Sequence, residues 1–254
     1  MILACKPVPD QYIPQAKIDA SYRNTGDSLV FDFHNTLHCP IRINLTRADS
    51  VIQDLVDPSF PLFLAAKADT SFYFLDSLPQ EARCGLSFTL WTDPPSDSTL
   101  PQFTWPFPRG RSYSIIQGYN GSFSHQRNYS RFALDFDLSV GDTICAAGAG
   151  YVVGVIEGYQ HGGNNRKWRP YANTVTIYHP EQATLTQYAH LIKNGALVEV
   201  GDTVQTGQAI GISGKTGFTS TPHLHFNVLR AVNGHLISHR AKMGWIVGPQ
   251  KSSD

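Results

Sequence analysis

Val140-Gly141-Asp142-Thr143-Ile144 recurs sixty positions later as Val200-Gly201-Asp202-Thr203-Val204. In each copy a Gly-Asp pair lies between apolar residues, a pattern typical of tight turns. Each copy leads through small residues into a second run, Gly150-Tyr151-Val152-Val153-Gly154 or Gly207-Gln208-Ala209-Ile210-Gly211. The repeat predicts a duplicated-hairpin, antiparallel β core in which both aspartates serve turns rather than chemistry.

The N-terminal hundred residues show a second β-rich pattern. Their apolar runs are short and are bounded by turn residues, which is typical of strands. The clearest runs are Ser28-Leu29-Val30-Phe31-Asp32-Phe33, Ile41-Arg42-Ile43-Asn44-Leu45, Ser71-Phe72-Tyr73-Phe74-Leu75 and Leu86-Ser87-Phe88-Thr89-Leu90-Trp91. We predict an all-β protein whose residues 1–100 form a β-sandwich-like accessory domain of unknown role. Within it, residues 50–56 fit either a short helix or another edge strand.

A segment rich in Pro, Ser and Asp, residues 93–101, separates the two β-rich regions. This composition is typical of a linker. The chain has 254 residues, enough for two domains at a soft prior of about 150 residues each. We therefore expect a second domain over residues 101–254.

Charge and hydropathy argue against two broad classes of partner. Lys and Arg number 20, as do Asp and Glu, so the chain lacks the net positive charge typical of nucleic-acid binders. No apolar run reaches the roughly 20 residues that a transmembrane helix needs.

The opening Met1-Ile2-Leu3-Ala4-Cys5 resembles the end of a lipoprotein signal, which would make Cys5 a lipid anchor; an ordinary cysteine is the alternative. Cys39 and Cys84 are candidates for a disulfide in an oxidising compartment.

The strongest chemical signal is Pro222-His223-Leu224-His225-Phe226-Asn227-Val228. Apolar neighbours predict a strand, in which residues i and i+2 point to the same face about 7 Å apart. His223 and His225 would then share one space. Imidazole is the commonest metal ligand and a general base near neutral pH, so the pair indicates a metal or acid–base site. Two unrelated histidines on a half-exposed strand are the simpler alternative.

Three further candidates lie upstream of this pair. His125 is in a polar loop, and Asp135 and Asp137 share one face of a predicted strand over 132–138. A buried carboxylate needs a cation or a metal as partner, and spacing alone allows either aspartate. His190 ends a strand-like run over 183–188. Taken singly, each of these residues also fits an ordinary surface or core position.

Two other ligand classes fit the sequence poorly. Gly214-Lys215-Thr216 imitates the end of a phosphate-binding loop, but a strand rather than a helix follows it. The hairpin repeat is similar to that of lipoyl or biotinyl carriers, which need a lysine between apolar residues at an exposed hairpin tip. Lys215 lies between Gly214 and Thr216 instead.

Taken together, the motifs resemble the lysostaphin-type, LytM-like zinc endopeptidases over residues 107–229. The segments that carry the resemblance, in order, are Gln117-Gly118-Tyr119-Asn120-Gly121-Ser122-Phe123-Ser124-His125, Ala133-Leu134-Asp135-Phe136, the first Gly-Asp copy, Tyr188-Ala189-His190-Leu191, the second Gly-Asp copy, and Pro222-His223-Leu224-His225-Phe226. The resemblance implies zinc bound by His125, Asp135 and His225, and catalysis by His190 and His223. Many members have the first histidine and the aspartate four positions apart; here they are ten apart, so we interpret residues 126–134 as an insertion.

That family cuts peptide cross-links of bacterial peptidoglycan, so the resemblance implies a peptidoglycan peptide as substrate and a periplasmic or extracellular location. Bound zinc lowers the pKa of water towards 7 and polarises a carbonyl; the two catalytic histidines would move the protons. Tyr129 and Tyr188 are candidate donors to the oxyanion, and Asn173 is expected to order the site. The alternative is a non-catalytic LytM-like module that activates another wall hydrolase. Such modules usually lose ligands, whereas all five expected positions are filled here.

Overall fold

The computed structural model of the protein describes residues 16, 18–56, 59–75, 84–92, 99–232 and 235–245. It contains two compact units, one over Lys17–Asp93 and one that includes Pro94–Asp254. Strands dominate both units and nearly all pair antiparallel, so the predicted all-β class is confirmed. Among the described residues, no helix is long and apolar enough to cross a membrane. Cys5 lies outside the described residues, and its lipid anchor stays a prediction.

The unit over Lys17–Asp93 contains two three-stranded antiparallel sheets. Its strands are β1 (Asp19–Asn24), β2 (Ser28–His34), β3 (Ile41–Ala48), β4 (Leu62–Leu64), β5 (Asp69–Leu75) and β6 (Cys84–Leu90). They are ordered β1-β2-β5 in one sheet and β4-β3-β6 in the other. Residues 50–56 form helix α1 (Ser50–Val56), which buries Ile52 and Val56 one helical turn apart. The helix, rather than the edge strand, is therefore correct.

Cys39 and Cys84 are free thiols in this unit. Cys84 pairs with Ala48 at one end of β3, whereas Cys39 precedes Ile41 at the other end. Seven residues of extended strand separate the two ends by roughly 24 Å, while a disulfide needs Cα atoms within about 7 Å. The candidate disulfide is therefore not formed.

The second unit is built around an eight-stranded sheet. Its strands in chain order are β7 (Gln102–Phe103), β8 (Ile115–Gln117), β9 (Leu134–Phe136), β10 (Thr143–Cys145), β11 (Gly150–Ile156), β12 (Gly162–Gly163), β13 (Thr174–His179), β14 (Thr184–Ala189), β15 (Leu191–Ala196), β16 (Thr203–Val204), β17 (Ala209–Ser213), β18 (Gly217–Phe218), β19 (Leu224–Val232), β20 (His235–Ser238) and β21 (Lys242–Met243). The main sheet runs β16-β11-β13-β14-β19-β9-β8, with β20 also paired to β19. Short 3-10 helices span Arg166–Tyr171 and Pro180–Gln182.

The two copies of the repeated sequence form equivalent turns. The Ser139 N–H donates to Asp142 Oδ2 at 2.7 Å, and the Glu199 N–H donates to Asp202 Oδ2 at 2.8 Å. Strand pairing then runs across the copies: β10 pairs with β17, and β16 pairs with β11. The antiparallel duplicated core is as predicted, but its strands interlock between copies instead of pairing within each hairpin.

One continuous apolar cluster fills this unit. Strand β13 is buried along its whole length because the main sheet continues on both sides of it. The cluster includes Phe103, Phe136, Ile177, Tyr188 and Phe226, each 2% exposed or less. A fixed sheet of this kind lets a row of polar residues at one end keep its geometry.

Candidate metal centre

A row of polar residues crosses neighbouring strands at one end of the main sheet. Asp135 in β9 pairs with His225 in β19, and His225 pairs on its other side with Ala189, the last residue of β14. Gln117 at the end of β8 stands opposite Asp135. Residues directly opposite each other in antiparallel strands have Cβ atoms about 5 Å apart. The sheet register therefore brings Gln117, Asp135, His225 and the chain before His190 to one place.

The side chains of Asp135 and His225 meet that of His125, and the three are close enough together to share one ion. His225 Nδ1 lies 2.8 Å from Asp135 Oδ1, and His125 Nε2 lies 3.2 Å from the same oxygen. His125 Nε2 and His225 Nδ1 are 3.3 Å apart, and the three candidate ligand atoms all lie within 4.8 Å of one another. The ten-residue separation of His125 and Asp135 is closed by two turns, in which Ser130 and Ala133 donate to backbone carbonyls three residues earlier.

The donor set fits a zinc ion. The Nδ1–H of His125 donates to the Gly118 carbonyl at 2.9 Å, which leaves the Nε2 lone pair facing Asp135 and His225. Two imidazole nitrogens and one carboxylate are typical zinc ligands, and a backbone carbonyl that accepts from the other ring nitrogen commonly fixes the tautomer of a ligating histidine. A carboxylate and two ring nitrogens packed this tightly are satisfied together by one cation. Asp137, the alternative aspartate, is exposed.

Gln117 orients the carboxylate and has no counterpart among the residues singled out in the sequence. Its Nε2 donates to Asp135 Oδ2 at 2.8 Å and to Ser124 Oγ at 2.7 Å. Its Oε1 accepts from the Phe123 N–H at 3.1 Å and the Ser124 N–H at 3.4 Å. Gln117 thus connects Asp135 to the loop that carries His125.

His190 and His223 form a second pair beside the three ligand candidates. Their ring centroids are 4.5 Å apart, and His223 Nε2 lies 3.8 Å from Asp135 Oδ1. The Nδ1–H of His190 donates to the Thr216 carbonyl at 2.6 Å, and His223 Nδ1–H donates to the Thr221 carbonyl at 2.9 Å. In both rings the Nε2 lone pair is therefore free to accept a proton.

Burial and mutual charge set the protonation of the cluster. Burial opposes ionisation of Asp135, but its close contacts with the rings of His125 and His225 outweigh it and hold the carboxyl pKa well below its usual range. Burial, followed by the neighbouring rings of His223 and His225, lowers the pKa of His190 to about 3. Burial also lowers the pKa of His223. Near neutral pH the cluster thus combines an ionised carboxylate with a neutral histidine pair.

Asn173 braces the loops behind the histidine pair, as expected from the sequence. Its Nδ2 donates to the carbonyls of Tyr159 at 2.7 Å and Ile192 at 2.9 Å, and its Oδ1 accepts from the Tyr159 N–H at 2.9 Å. Its N–H donates to Thr216 Oγ1 at 3.0 Å. Because Thr216 also holds His190, Asn173 fixes the ring of His190 through one intermediary.

The two tyrosines occupy different environments. Tyr188 is fully buried, and its hydroxyl accepts from the Ala147 N–H at 2.7 Å inside the core. Strand alternation turns Tyr188 away from the face that carries His225, so its assignment as an oxyanion donor is wrong. Tyr129 is 43% exposed, and its hydroxyl donates to Gln187 Oε1 at 3.4 Å. Its role at the site stays a prediction.

Comparison with known proteins shows similarity to peptidases. Residues 130–238 match Peptidase family M23. An uncharacterized metalloprotease of Buchnera aphidicola subsp. Baizongia pistaciae is 31% identical over 134 residues, covering 52% of this chain and 32% of that protein. The peptidoglycan DD-endopeptidase ShyB of Vibrio cholerae serotype O1 is 32% identical over 127 residues, covering 48% and 27%. Lysostaphin of Staphylococcus simulans is 33% identical over 104 residues, covering 40% and 18%.

The matched region spans no more than 32% of the length of these relatives. The family match over residues 130–238 lies within the second unit of the chain. Residues 130–238 thus match Peptidase family M23, and the chain is similar to lysostaphin, the protein after which the family that its motifs resemble is called.

Proposed function

We propose that this protein is a zinc-dependent endopeptidase that hydrolyses peptide cross-links of bacterial peptidoglycan. His125 Nε2, an oxygen of Asp135 and His225 Nδ1 would hold the zinc ion. When bound, zinc would polarise the scissile carbonyl and lower the pKa of water at the site. Similarity to a protein named a peptidoglycan DD-endopeptidase supports the substrate class.

The chain's own contribution to the reaction is proton transfer. Hydrolysis of a peptide bond requires a proton to leave the attacking water and another to reach the departing amine. His190 and His223 each present a free Nε2 on one side of the ligand cluster, because Nδ1 of each ring is held by a backbone carbonyl. We assign the acceptance and return of these protons to the two Nε2 atoms.

The single observation that carries this proposal is the meeting of five side chains from four separate segments: His125, Asp135, His190, His223 and His225. A non-catalytic binding module has no need for a ligand set together with a second, proton-accepting pair. Because peptidoglycan lies outside the cytoplasm, we place the protein in the periplasm or outside the cell, with a lipid anchor at Cys5 as part of the same proposal.

The test compares digestion of purified peptidoglycan by the zinc-loaded wild type, His190→Ala, His223→Ala and the exposed control His235→Ala. New amino groups are counted as bonds are cut. General acid–base groups contribute about 10²–10⁴-fold, so we expect losses of that size in the first two variants with zinc retained. The control should match the wild type.

Two results would contradict the proposal. Zinc-loaded wild type that releases no amino groups would support the regulatory module instead. Full activity of both His190→Ala and His223→Ala would remove the assigned proton transfer.

A further inference from the structure

The net charge of the chain is zero because a negatively charged N-terminal part and a positively charged C-terminal part cancel. Residues 99–254 hold 13 Lys and Arg and 8 Asp and Glu, a net charge of +5, whereas residues 1–98 hold 7 and 12, a net charge of −5. Segments 118–134, 158–180 and 203–245 contain no acidic residue. These segments supply His125, Asn173, His223 and His225, so the basic excess is concentrated in the chain around the candidate centre.

Three arginines of these segments form a cluster. Arg127 follows His125 by two residues, while Arg166 and Arg169 belong to the 3-10 helix Arg166–Tyr171. Arg127 and Arg166 are exposed and Arg169 is half-buried. Burial lowers the pKa of Arg169, and the positive charges of Arg127 and Arg166 lower it further, as expected when both guanidinium groups lie near that of Arg169. We call Arg127, Arg166 and Arg169 the arginine cluster.

Planar stacking connects the arginine cluster to the loops of the centre. The Arg169 guanidinium lies 5.3 Å from the centroid of Phe218, and Phe218 stacks on Phe123 with centroids 4.9 Å apart. Phe123 precedes His125 by two residues, and Phe218 adjoins Thr219, whose Oγ1 lies 3.1 Å from His223 Nδ1. Arg169 therefore packs on the two loops that lead to His125 and to His223.

The 3-10 helix is held beside these loops by the backbone. Strand β12 (Gly162–Gly163) pairs in parallel with β18 (Gly217–Phe218). A Cβ on Gly163 would come within 3.0 Å of Trp168 Nε1, so the helix packs closely on β12. Arg166 and Arg169 are thus presented from a fixed element rather than from a free loop.

The arginine cluster has no internal counter-charge. Within the described part of the chain, no carboxylate forms a salt bridge with Arg127, Arg166 or Arg169. Like charges held together cost free energy, which a bound anion removes. Guanidinium groups bind carboxylates through paired, charge-assisted hydrogen bonds, and stacking on an aromatic ring orients them for it.

We propose that the arginine cluster is a specificity subsite that binds a carboxylate of the peptide substrate beside the scissile bond. The inference rests on the proposed peptidase function, which it deepens by requiring an acidic group in the substrate. Arg169, stacked on Phe218, supplies the fixed guanidinium, and Arg127 and Arg166 add positive charge beside it.

The test uses cross-linked muropeptide dimers, either native or with their carboxylates converted to amides. Zinc-loaded wild type, Arg166→Gln/Arg169→Gln and the exposed control Arg109→Gln are compared. One charge-assisted hydrogen bond is worth about 1.4 kcal/mol, or tenfold in affinity. We expect wild type and control to show a KM roughly tenfold lower for native dimers, and the double variant to have equal KM values for both with kcat little changed.

Binding is measured in parallel, without turnover, on His190→Ala proteins with and without the two arginine substitutions. A double variant that still prefers native dimers as strongly as the wild type, in KM or in binding, would overturn the subsite. If wild type cleaves neither dimer, the peptidase proposal fails. Binding to the His190→Ala proteins then tests the subsite independently. A preference for native dimers that disappears when Arg166 and Arg169 are also substituted supports the subsite. Equal binding of native and amidated dimers by His190→Ala alone overturns it.

Discussion

At the scale of single residues, the candidate centre depends on which ring nitrogen each histidine presents. His125, His190 and His223 all donate from Nδ1 to a backbone carbonyl and direct Nε2 inward. His225 differs, because its Nδ1 faces Asp135. Gln117 holds the other carboxylate oxygen. The geometry of the ligand group is therefore set by hydrogen-bond partners one step removed from it.

Gln117→Ala should weaken zinc binding by roughly 10–100-fold, the usual effect of losing an outer partner of a ligand. Without Gln117, Asp135 loses its Oδ2 donor, and the loop before His125 loses its acceptor for two N–H groups. Zinc affinity is measured by competition with a chelator. The exposed Gln160→Ala provides the matched control, and equal affinities of the two variants would contradict the role given to Gln117.

The sequence led to the five residues that the structure brings together, but not to the outer partners that hold them. The His-x-His spacing of His223 and His225 follows from strand geometry, and the motif order led to His125 and His190. Gln117 was missed because its role depends on the pairing of β8 with β9, a long-range contact that spacing does not reveal. Tyr188 was assigned wrongly because its apolar neighbours do not show which face of β14 is turned to the core.

At the scale of elements, the two copies of the Gly-Asp repeat are joined by strand pairing in the unit that carries the site. Each Gly-Asp turn leads into a strand that pairs with the other copy, so the strand pairing ties the two copies together. The turns themselves were predictable, because glycine and aspartate at fixed positions satisfy the backbone locally. The cross-pairing was not predictable, because two equivalent copies have the same local pattern whether they pair within or between.

His179 joins three of these elements and makes their stability depend on pH. Its Nδ1–H donates to the Ala149 carbonyl before β11 at 2.7 Å, and its Nε2 lies 2.8 Å from Thr186 Oγ1 in β14. Burial lowers the pKa of His179 from 6.5 to about 4. Between these values the unfolded chain binds a proton that the folded chain excludes. The contribution of His179 to the free energy of unfolding is therefore fully present above pH 6.5 and is lost as the pH falls towards 4.

We expect His179→Gln to lower the free energy of unfolding at pH 7, because the buried hydrogen bonds are altered. The variant should also lose less stability than the wild type between pH 6.5 and 4. The difference should approach roughly 3 kcal/mol, because the pKa of His179 lies about 2.5 units below its usual value and each unit corresponds to about 1.36 kcal/mol. Urea unfolding at pH 7, 5.5 and 4.5 measures it. The exposed His235→Gln should keep the wild-type dependence; an equally steep loss in His179→Gln would refute the assignment.

At the scale of the whole molecule, the residues of the candidate centre all belong to one of the two units. The five residues of the centre and the arginine cluster all lie within Pro94–Asp254. The unit over Lys17–Asp93 contributes none of them; it holds 10 of the 20 acidic residues of the chain but only 6 of the 20 basic ones, a net charge of −4. Composition predicted that both regions are β-rich, since strand patterns are local. It did not reveal the opposite charges, which cancel in the total.

The central claim is that His125, Asp135 and His225 bind one zinc ion. The most direct measurement is the zinc content of purified, zinc-loaded and dialysed protein, in the wild type, Asp135→Asn, His225→Gln and the control His235→Gln. Circular dichroism confirms that each variant is folded. We predict about one zinc per chain in wild type and control and loss of zinc in both site variants, as expected when one of three protein ligands is removed. Wild type without zinc, or folded site variants that keep it fully, would contradict the account.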